Sequence, residues 1–482
     1  MAQNLQQLID GEWVPGDGPE RSSLNPARPD VPVATYTACS ESQTNQAIEI
    51  AASAGEPWGS RTIIDRALVL RKAADILHER SGAIAALLTA EEGKTTAESI
   101  GELAASVETL HYHAAQARSP QGVTYASSSA DELIRTVRRP LGTLGVITPW
   151  NFPVMIPVWK IAPALLHGNC VVWKPASDTP AVAAALAEVF VDAGVPAGVL
   201  SLLLGPGAIG SAIVENENIA AVTFTGSVPV GRQIAVAATA RGAKVQTELG
   251  GHSAAIVCPG VDPQAAAESV IAGAMGSTGQ KCTATRRIIA VGDSHGPLVE
   301  AMKEIVMGLA VGDGADKSTR IGPLVSEKSA KEVGDALSLA GQEGAEVLAQ
   351  THVDQSAPAY FAPTLLSGDP KHTISREEVF GPISTVLRVD SVDEAIHLAN
   401  DTDFGLTAAI FSNDERTIRR CVDRVEAGLI KINGPTTGSE IHVPFGGLKG
   451  SSFPAPREQN AESAADFFTW SKSAYLRTIG RP

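Results

Sequence analysis

Short apolar segments alternate with helix-length segments through this 482-residue chain, and no other feature of the sequence restricts its possible folds as strongly. The apolar segments at 143–148, 170–173, 199–204 and 221–225 begin about 20 to 30 residues apart, a spacing typical of strands with helices between them. Such units form right-handed βαβ crossovers and a parallel sheet. The sequence therefore predicts an α/β fold that contains a Rossmann-like half-sheet.

The same alternation resumes after residue 250 and continues to about residue 440. It predicts a second Rossmann-like domain over 251–440, which follows a first domain made of 1–118 and 141–250. The polar, turn-rich stretch 119–140 and the alternating tail 455–482 are predicted to form a small β arm. Such an arm would lie at a sheet edge or contact another subunit.

Between the N-terminus and the first of these strands, apolar residues recur at helical spacing. Ile64, Leu68, Leu77, Ile84 and Leu88 are examples. The spacing predicts helices whose apolar faces pack on the core, without a chemical role.

Charge and cysteine content exclude several classes of protein. The formal net charge is −15, which argues against a nucleic-acid or anionic-membrane surface. No apolar run reaches the roughly 18 residues of a membrane span, and the N-terminus lacks the features of a signal peptide. Five scattered cysteines show no zinc-ligand spacing, so we expect neither disulfides nor a metal site. These features predict a cytoplasmic protein.

Two glycine-rich turns are candidates for phosphate binding. GPGAIG at 205–210 follows a strand, but no acidic residue for a ribose hydroxyl follows at the required distance, which favours a tight strand-to-helix turn beside the cofactor site. FTGSVPVG at 224–231 places Gly226 and Ser227 before a helix that begins near Pro229. A helix N-terminus there could hold a pyrophosphate, although a simple capped turn is the alternative.

Polar residues follow other strands of the predicted sheets. Asn151 could donate to an oxyanion or merely cap the next helix, and Lys174 and Glu248 could be ordinary surface residues. Cys282 has polar neighbours, whereas Cys170 and Cys258 lie in apolar runs typical of buried thiols. In isolation, each of these residues is ambiguous.

Taken in order, the motifs resemble the NAD(P)-dependent aldehyde dehydrogenase superfamily over nearly the whole chain. They are IDGEWV, PWNFP, WKIAPAL, KPAS, FTGS, ELGG, GQKC, EEVFGP, FGLTAAIFS and PFGGLKGS. The resemblance implies an aldehyde dehydrogenase-like α/β fold with two Rossmann-like domains and a small β oligomerisation arm. It also implies oxidation of an aldehyde to a carboxylic acid through a cysteine thiohemiacetal and a thioester, in a homodimer or homotetramer.

The resemblance also implies a role for individual residues. Cys282 is the expected nucleophile, Glu248 the general base, and Asn151 with the Cys282 amide the oxyanion hole, while Lys160 supports the site from behind. Lys281 could lower the pKa of the neighbouring thiol. The expected cofactor contacts are Thr148, Trp150, Asn151, Lys174, Ala176, Ser177, Gly207, Gly226, Ser227, Leu249, Glu378 and Phe380. The expected substrate pocket contains Phe152, Trp159, Lys281, Thr283, Phe445 and Phe453, although core packing explains such aromatic residues equally well.

Within these sets, Lys174 is expected at the adenine ribose and Glu378 at the nicotinamide ribose. Many relatives carry Glu where this chain has Ser177, and a carboxylate there would repel a 2′-phosphate. The hydroxyl of Ser177 and the cation of Lys174 therefore predict that NADP⁺ is used at least as well as NAD⁺.

The expected substrate is inferred from sequence positions at which the branches of the family carry different residues. Trp159 stands where succinic-semialdehyde enzymes generally carry Arg, while GQKCTATRR and the C-terminal tail resemble the branch that oxidises α-ketoglutaric semialdehyde. His252, where Lys is common, departs from that pattern. A broad-specificity aliphatic or aromatic aldehyde dehydrogenase is the alternative. A coenzyme A-acylating enzyme is disfavoured by the presence of Glu248.

Overall fold

The structure, a computed structural model, describes residues 2–353, 357–456 and 459–477. Its helices are α1 (Glu41–Gly59), α2 (Ile63–Glu92), α3 (Thr96–Ala115), α4 (Met155–Leu166), α5 (Pro180–Ala193), α6 (Gly207–Glu215), α7 (Val228–Ala240), α8 (Pro263–Met275), α9 (His295–Met307), α10 (Glu327–Gln342), α11 (Val392–Asn400), α12 (Glu415–Arg424) and α13 (Ala461–Phe468). Its strands are β1 (Gln3–Leu5), β2 (Gln7–Ile9), β3 (Glu12–Val14), β4 (Glu20–Asn25), β5 (Arg28–Thr37), β6 (Thr124–Tyr125), β7 (Glu132–Pro140), β8 (Thr143–Ile147), β9 (Cys170–Lys174), β10 (Leu200–Leu202), β11 (Ile219–Thr225), β12 (Lys244–Glu248), β13 (Ser253–Val257), β14 (Thr285–Val291), β15 (Val347–Gln350), β16 (Thr364–Ser367), β17 (Ile383–Val389), β18 (Phe404–Gly405), β19 (Thr407–Phe411), β20 (Leu429–Ile432), β21 (Leu448–Lys449) and β22 (Thr469–Arg477).

The first large sheet has the strand order β12-β11-β8-β9-β10-β2-β3. Strands β8 to β12 pair in parallel, and β2 and β3 extend the sheet antiparallel. Strands β8 and β9 are buried along their whole length, as expected for parallel strands covered by helices on both faces. The predicted Rossmann-like half-sheet is confirmed. Because the chain runs outward through β9 and β10 and then returns to β11, the switch point for ligand binding lies between β8 and β11.

The second large sheet has the order β15-β16-β17-β14-β13-β19-β20. Its strands pair in parallel except for β15 at one edge. The chain passes from the last strand of the first sheet to β13 through Leu249–His252, and Cys282 lies three residues before β14. The two sheets therefore bring Glu248 and Cys282 to the region where they meet.

A third sheet, β22-β7-β6, forms the predicted arm. Strand β22 pairs antiparallel with β7 from Thr469 opposite Pro140 to Arg477 opposite Glu132, so the predicted pairing of the tail with the 119–140 stretch is confirmed. Residues 457–458 and 478–482 of the predicted arm lie outside the described residues. The domain limits and the role of the arm in oligomers remain predictions.

Helices α2 and α3 pack as a pair beside α4. Leu77, Ile84 and Leu88 are buried as predicted, but Ile64 and Leu68 are exposed because the first turns of α2 direct Ala67 and Leu70 inward instead. Across the described part of the chain, no helix is long and apolar enough to cross a membrane.

Candidate active site

The loop that carries Cys282 has an unusual backbone. After α8 it forms one 3₁₀ turn, Gly276–Gly279, in which Ser277 and Thr278 have φ values of 50° and 56°. Non-glycine residues in this left-handed region carry strain that the surrounding structure must hold. Thr278 Oγ1 donates to Gly322 O over 3.0 Å and Gln280 Oε1 accepts from Val325 N over 2.9 Å. These contacts hold the loop in place as far as Gln280, two residues before Cys282.

Cys282 is half-buried, whereas the other four cysteines are buried. Burial is the main cause that raises the pKa of its thiol to about 12, and the charges of Glu378 and Glu248 add to it. The backbone amides of Cys282 and Thr283 act in the opposite direction, which shows that they face the sulfur. The resting thiol is therefore neutral, even with Lys281 beside it, and its conversion to a thiolate depends on a neighbouring base or on the arrival of ligands.

Asn151 does not cap the helix that follows it. Helix α4 begins at Met155 without a side-chain cap, and Asn151 Nδ2 instead donates to Gln280 O over 3.0 Å. The alternative role as a helix cap is thus wrong for this residue. Glu102 of α3 instead accepts hydrogen bonds from the amides at the start of α4. Its Oε1 accepts from Val154 N over 2.9 Å and from Met155 N over 3.1 Å.

Lys94 and Glu102 form a buried ion pair of 2.8 Å behind the loop that carries Asn151. Lys94 Nζ also donates to Asn151 O over 2.7 Å and lies 4.5 Å from the ring centre of Phe152. Burial alone would lower the pKa of Lys94, but Glu102 and Glu92 outweigh it and raise the pKa. Lys94 in the connection between α2 and α3, together with Glu102 of α3, thus holds the loop of Asn151, the oxyanion-hole candidate, in place.

Glu248 ends β12 beside Thr225 of β11, at the carboxyl edge of the first sheet. Lys160 lies behind it, where its Nζ donates to Thr223 Oγ1 over 2.8 Å and to Gln459 Oε1 over 3.0 Å. Burial lowers the pKa of Lys160 to about 7, and Glu248 opposes this shift. An ammonium whose pKa lies so near neutrality can exchange a proton with its neighbours. Gln459 was missed because no sequence motif distinguishes it.

A cavity of about 390 Å³ opens above Cys282 and Glu248. Trp159 and Phe445 pack with ring centres 5.2 Å apart in its wall. The predicted pocket residues that line it are Phe152, Trp159, Lys281, Thr283 and Phe445; residues missed by the sequence analysis are Lys94, Glu98, Glu102, Met155, Ile156, Ser277, Thr437, Ser439 and Gln459.

Phe453 is the predicted pocket residue that the structure places elsewhere. It packs against the core of the first sheet, and the Arg232 guanidinium lies 5.5 Å from its ring centre. Packing therefore explains this aromatic residue, as the alternative interpretation of the sequence allowed.

A second cavity, of about 460 Å³, lies on the other side of the nucleophile loop. Trp150, Glu378 and Phe380 line it, and the rings of Trp150 and Phe380 meet edge to face at 5.6 Å. Glu378 Oε1 accepts from Gly251 N over 3.0 Å. Arg286, whose guanidinium donates to Gly381 O over 2.6 Å and to Gly279 O over 2.5 Å, ties this wall to the nucleophile loop.

The predicted phosphate turn leads into α7 at the switch point. Ser227 precedes the helix with extended backbone angles, and its side chain makes no capping bond. Gly226 is required there, because a Cβ would lie 2.5 Å from the Phe224 ring. The first amides of α7 and the Ser227 hydroxyl are thus suited to an anion such as a pyrophosphate.

The other predicted cofactor residues lie along the edge of the first sheet. Lys174 Nζ donates to Pro175 O over 2.8 Å and Ser177 Oγ donates to Gly205 O over 2.9 Å. Burial lowers the pKa of Lys174 to about 8, and Asp178 opposes this shift. Thr148 Oγ1 accepts from Trp173 Nε1 over 2.9 Å. Ala176 is half-buried beside them, Gly207 begins α6 at an exposed position, and Leu249 is buried against Gly231.

Two Rossmann-like sheets that meet at a thiol, a carboxylate and an uncapped helix start define the class of nucleotide-dependent α/β oxidoreductases. Residues 13–474 match the aldehyde dehydrogenase family, and the chain belongs to this family. It is 38% identical to an alpha-ketoglutarate semialdehyde dehydrogenase of Haloferax volcanii, over 98% of this chain and 99% of the relative. It is 39% identical to an alpha-ketoglutaric semialdehyde dehydrogenase of Bacillus subtilis, over 98% of this chain and 97% of the relative.

The fold agrees with a solved structure. The crystal structure of an NAD-dependent aldehyde dehydrogenase from Sinorhizobium meliloti superposes with a TM-score of 0.96 at 32% identity, covering all of this chain and 96% of the other. The predicted fold class and enzyme class are therefore confirmed, and the family acts on aldehydes with NAD(P)⁺.

Proposed function

We propose that this enzyme oxidises α-ketoglutaric semialdehyde to 2-oxoglutarate, with Cys282 as the nucleophile and Glu248 as the general base. The observation that carries the proposal is the cavity in which the thiol of Cys282 and the carboxylate of Glu248 lie together, beside a loop fixed by Asn151. The relatives from Haloferax volcanii and Bacillus subtilis, at 38% and 39% identity, are both named for this semialdehyde.

The proposed reaction begins when the Cys282 thiol gives up its proton to a neighbouring base such as Glu248. The sulfur then forms a bond to the aldehyde carbon, and the electron pair of the carbonyl bond moves to the oxygen, which becomes an alkoxide. Asn151 Nδ2 has a second N–H beside the one donated to Gln280, and this N–H and the Cys282 amide are available to the oxyanion. A bound nicotinamide supplies the acceptor for the hydride. The cavity lined by Trp150, Glu378 and Phe380 is where that ring and its ribose would bind.

The second half of the reaction requires a base. Glu248 takes a proton from a water molecule, whose oxygen attacks the thioester carbon, and the carbon–sulfur bond breaks to release the acid and restore the thiol. The proton held by Glu248 can return to the departing sulfur, and the charge of Lys160 nearby stabilises the Glu248 carboxylate that is restored. An acyl transfer to coenzyme A would not require this carboxylate.

A broad-specificity aldehyde dehydrogenase is the second candidate, because one wall of the cavity is formed by apolar side chains such as Trp159 and Phe445. Steady-state turnover of α-ketoglutaric semialdehyde, glutaric semialdehyde, pentanal and benzaldehyde, followed by reduced-nicotinamide absorbance, separates the two. The proposal requires the highest kcat/KM with α-ketoglutaric semialdehyde and no turnover by Cys282→Ser. Equal kcat/KM values over the panel would favour the second candidate.

We further propose that NADP⁺ is used at least as well as NAD⁺. The Lys174 ammonium at the end of β9 donates one hydrogen bond to Pro175 O and has two further N–H donors for a 2′-phosphate, and the Ser177 hydroxyl could turn from Gly205 O to the same phosphate. Ser177→Glu should weaken NADPH binding more than NADH binding in a fluorescence titration of the cofactor alone. A tenfold preference of the wild type for NAD⁺ would contradict the proposal.

Finally, we propose a homodimer or homotetramer assembled through the β22-β7-β6 sheet. Trp470, Tyr475 and Leu476 are exposed on the outer strand β22, and Leu133 is exposed on the central strand β7. An apolar surface at a sheet edge favours contact with a second chain. Tyr475→Glu should shift the molar mass measured by light scattering toward the monomer. Exposed Met307→Glu, away from this sheet, is the matched control.

A further inference from the structure

The side chain of Lys281 lines the same cavity as the thiol of Cys282. Burial lowers the pKa of Lys281, and the charge of Glu98 opposes this shift. Within the described residues, however, its Nζ takes part in no hydrogen bond and no close ion pair. An amino group with up to three N–H donors therefore faces the cavity without a hydrogen-bond partner among the described residues.

The nearest carboxylate cannot serve as that acceptor. Glu98 Oε2 accepts from Thr95 N over 3.0 Å and from Thr95 Oγ1 over 2.9 Å, while Oε1 accepts from Ser277 N over 2.6 Å and from Ser277 Oγ over 3.2 Å. A carboxylate has about four lone-pair sites, so Glu98 is saturated. It stabilises the charge of Lys281 through space without occupying its N–H donors.

Glu102 also lines this cavity, and both of its carboxylate oxygens already have hydrogen-bond partners. One of its oxygens pairs with Lys94 over 2.8 Å and the other accepts the first amides of α4. Lys94 and Lys281 thus differ: the first is neutralised within the protein, and the second is not. Ser277 and Ser439 also line the cavity, together with the apolar side chains of Trp159 and Phe445.

We propose that Lys281 binds the carboxylate at the far end of the substrate while the aldehyde carbon lies at Cys282. Glu98 acts as a positioning residue that keeps the ammonium in the cavity wall. The inference rests on the proposed function and deepens it, since it assigns the residue that selects aldehydes with a terminal carboxylate. A charge-assisted hydrogen bond of this kind is about twice as strong as a neutral one.

The test compares glutaric semialdehyde with pentanal, which has the same length and no carboxylate. In Lys281→Met, the ratio of kcat/KM for the charged aldehyde to kcat/KM for pentanal should fall about 10- to 100-fold, the effect of one hydrogen bond to a charged group. Lys281→Arg should restore most of the ratio. Lys331→Met, at an exposed position of α10, is the control. An unchanged ratio, or an equal loss on both aldehydes, overturns the proposal.

A second measurement does not depend on turnover. Glutarate, which carries the carboxylates but no aldehyde, should slow alkylation of Cys282 by iodoacetamide in the wild type and not in Lys281→Met, whereas pentanamide should act alike on both. Absence of protection in the wild type overturns the proposal. Protection by glutarate together with no turnover of α-ketoglutaric semialdehyde would instead refute the proposed substrate and leave the role of Lys281 standing.

Discussion

Asn151 Nδ2 donates a hydrogen bond of 3.0 Å to Gln280 O, and this bond joins the loop after β8 in the first sheet to the nucleophile loop before β14 in the second. On its other side, the backbone carbonyl of Asn151 accepts from Lys94 Nζ over 2.7 Å. The side-chain amide is thus held from two directions before any substrate arrives. Preorganised donors of this kind need no rearrangement when negative charge develops.

Replacement of Asn151 by Ala should lower kcat by about 100- to 1000-fold, the usual effect of losing one oxyanion donor. The substitution should change kcat more than KM, because the hydrogen bond forms with the oxyanion rather than with the ground-state aldehyde. Steady-state kinetics measures both constants. Asn413→Ala, which removes a similar bond to Gly260 O far from the cavity, is the control. Wild-type turnover by Asn151→Ala would contradict the assignment.

Replacement of Glu248 by Gln should stop hydrolysis of the thioester but increase the rate at which Cys282 is alkylated. Hydrolysis should stop, so that an acyl-enzyme accumulates after one turnover and is visible by intact mass. Alkylation of Cys282 by iodoacetamide should become faster, because the charge of Glu248 is one of the causes that raise the pKa of the thiol. Exposed Glu300→Gln is the control. Slower alkylation of the variant would show that Glu248 deprotonates the resting thiol instead.

The pH dependence of Cys282 alkylation tests the raised pKa directly. With a thiol pKa of about 12, the thiolate fraction increases over the whole accessible range. The alkylation rate should therefore rise about tenfold per pH unit from about pH 7 to pH 9 without levelling off, whereas an unperturbed thiol would approach its plateau near the upper end. Peptide mapping restricts the measurement to Cys282. A plateau below pH 8 would falsify the assigned environment.

The strands and the residues at their ends could be predicted from the sequence. The long-range contacts that hold the site residues in place could not. Predicted segments 170–173 and 221–225 became β9 and β11 with shifts of one or two residues, because apolar runs between turns have few alternatives. Lys94 was missed because its partner Asn151 is 57 residues away, and no periodicity reports such a contact. Glu98 was also missed: it forms a capping box with Thr95 at the start of α3, and it accepts from Ser277 N, 179 residues further along the chain.

The buried pair of Lys94 and Glu102 gives the last prediction. Lys94→Met leaves the Glu102 carboxylate buried without its cation, and removal of one member of such a pair costs about 3–5 kcal/mol. The double variant Lys94→Met with Glu102→Gln removes both charges and should lose less stability than the two single variants together. Thermal midpoints at a fixed scan rate measure the difference.

The matched control for this cycle is the exposed pair Arg419–Glu415, whose members are each 76% exposed. Arg419→Ala should change stability by less than about 1 kcal/mol, since solvent screens surface ion pairs. Because Lys94 also donates to Asn151 O, Lys94→Met should reduce kcat as well, and restoring the charge balance in the double variant should recover stability but not activity. If the double variant melts no higher than Lys94→Met alone, the ion pair is not what stabilises this part of the site.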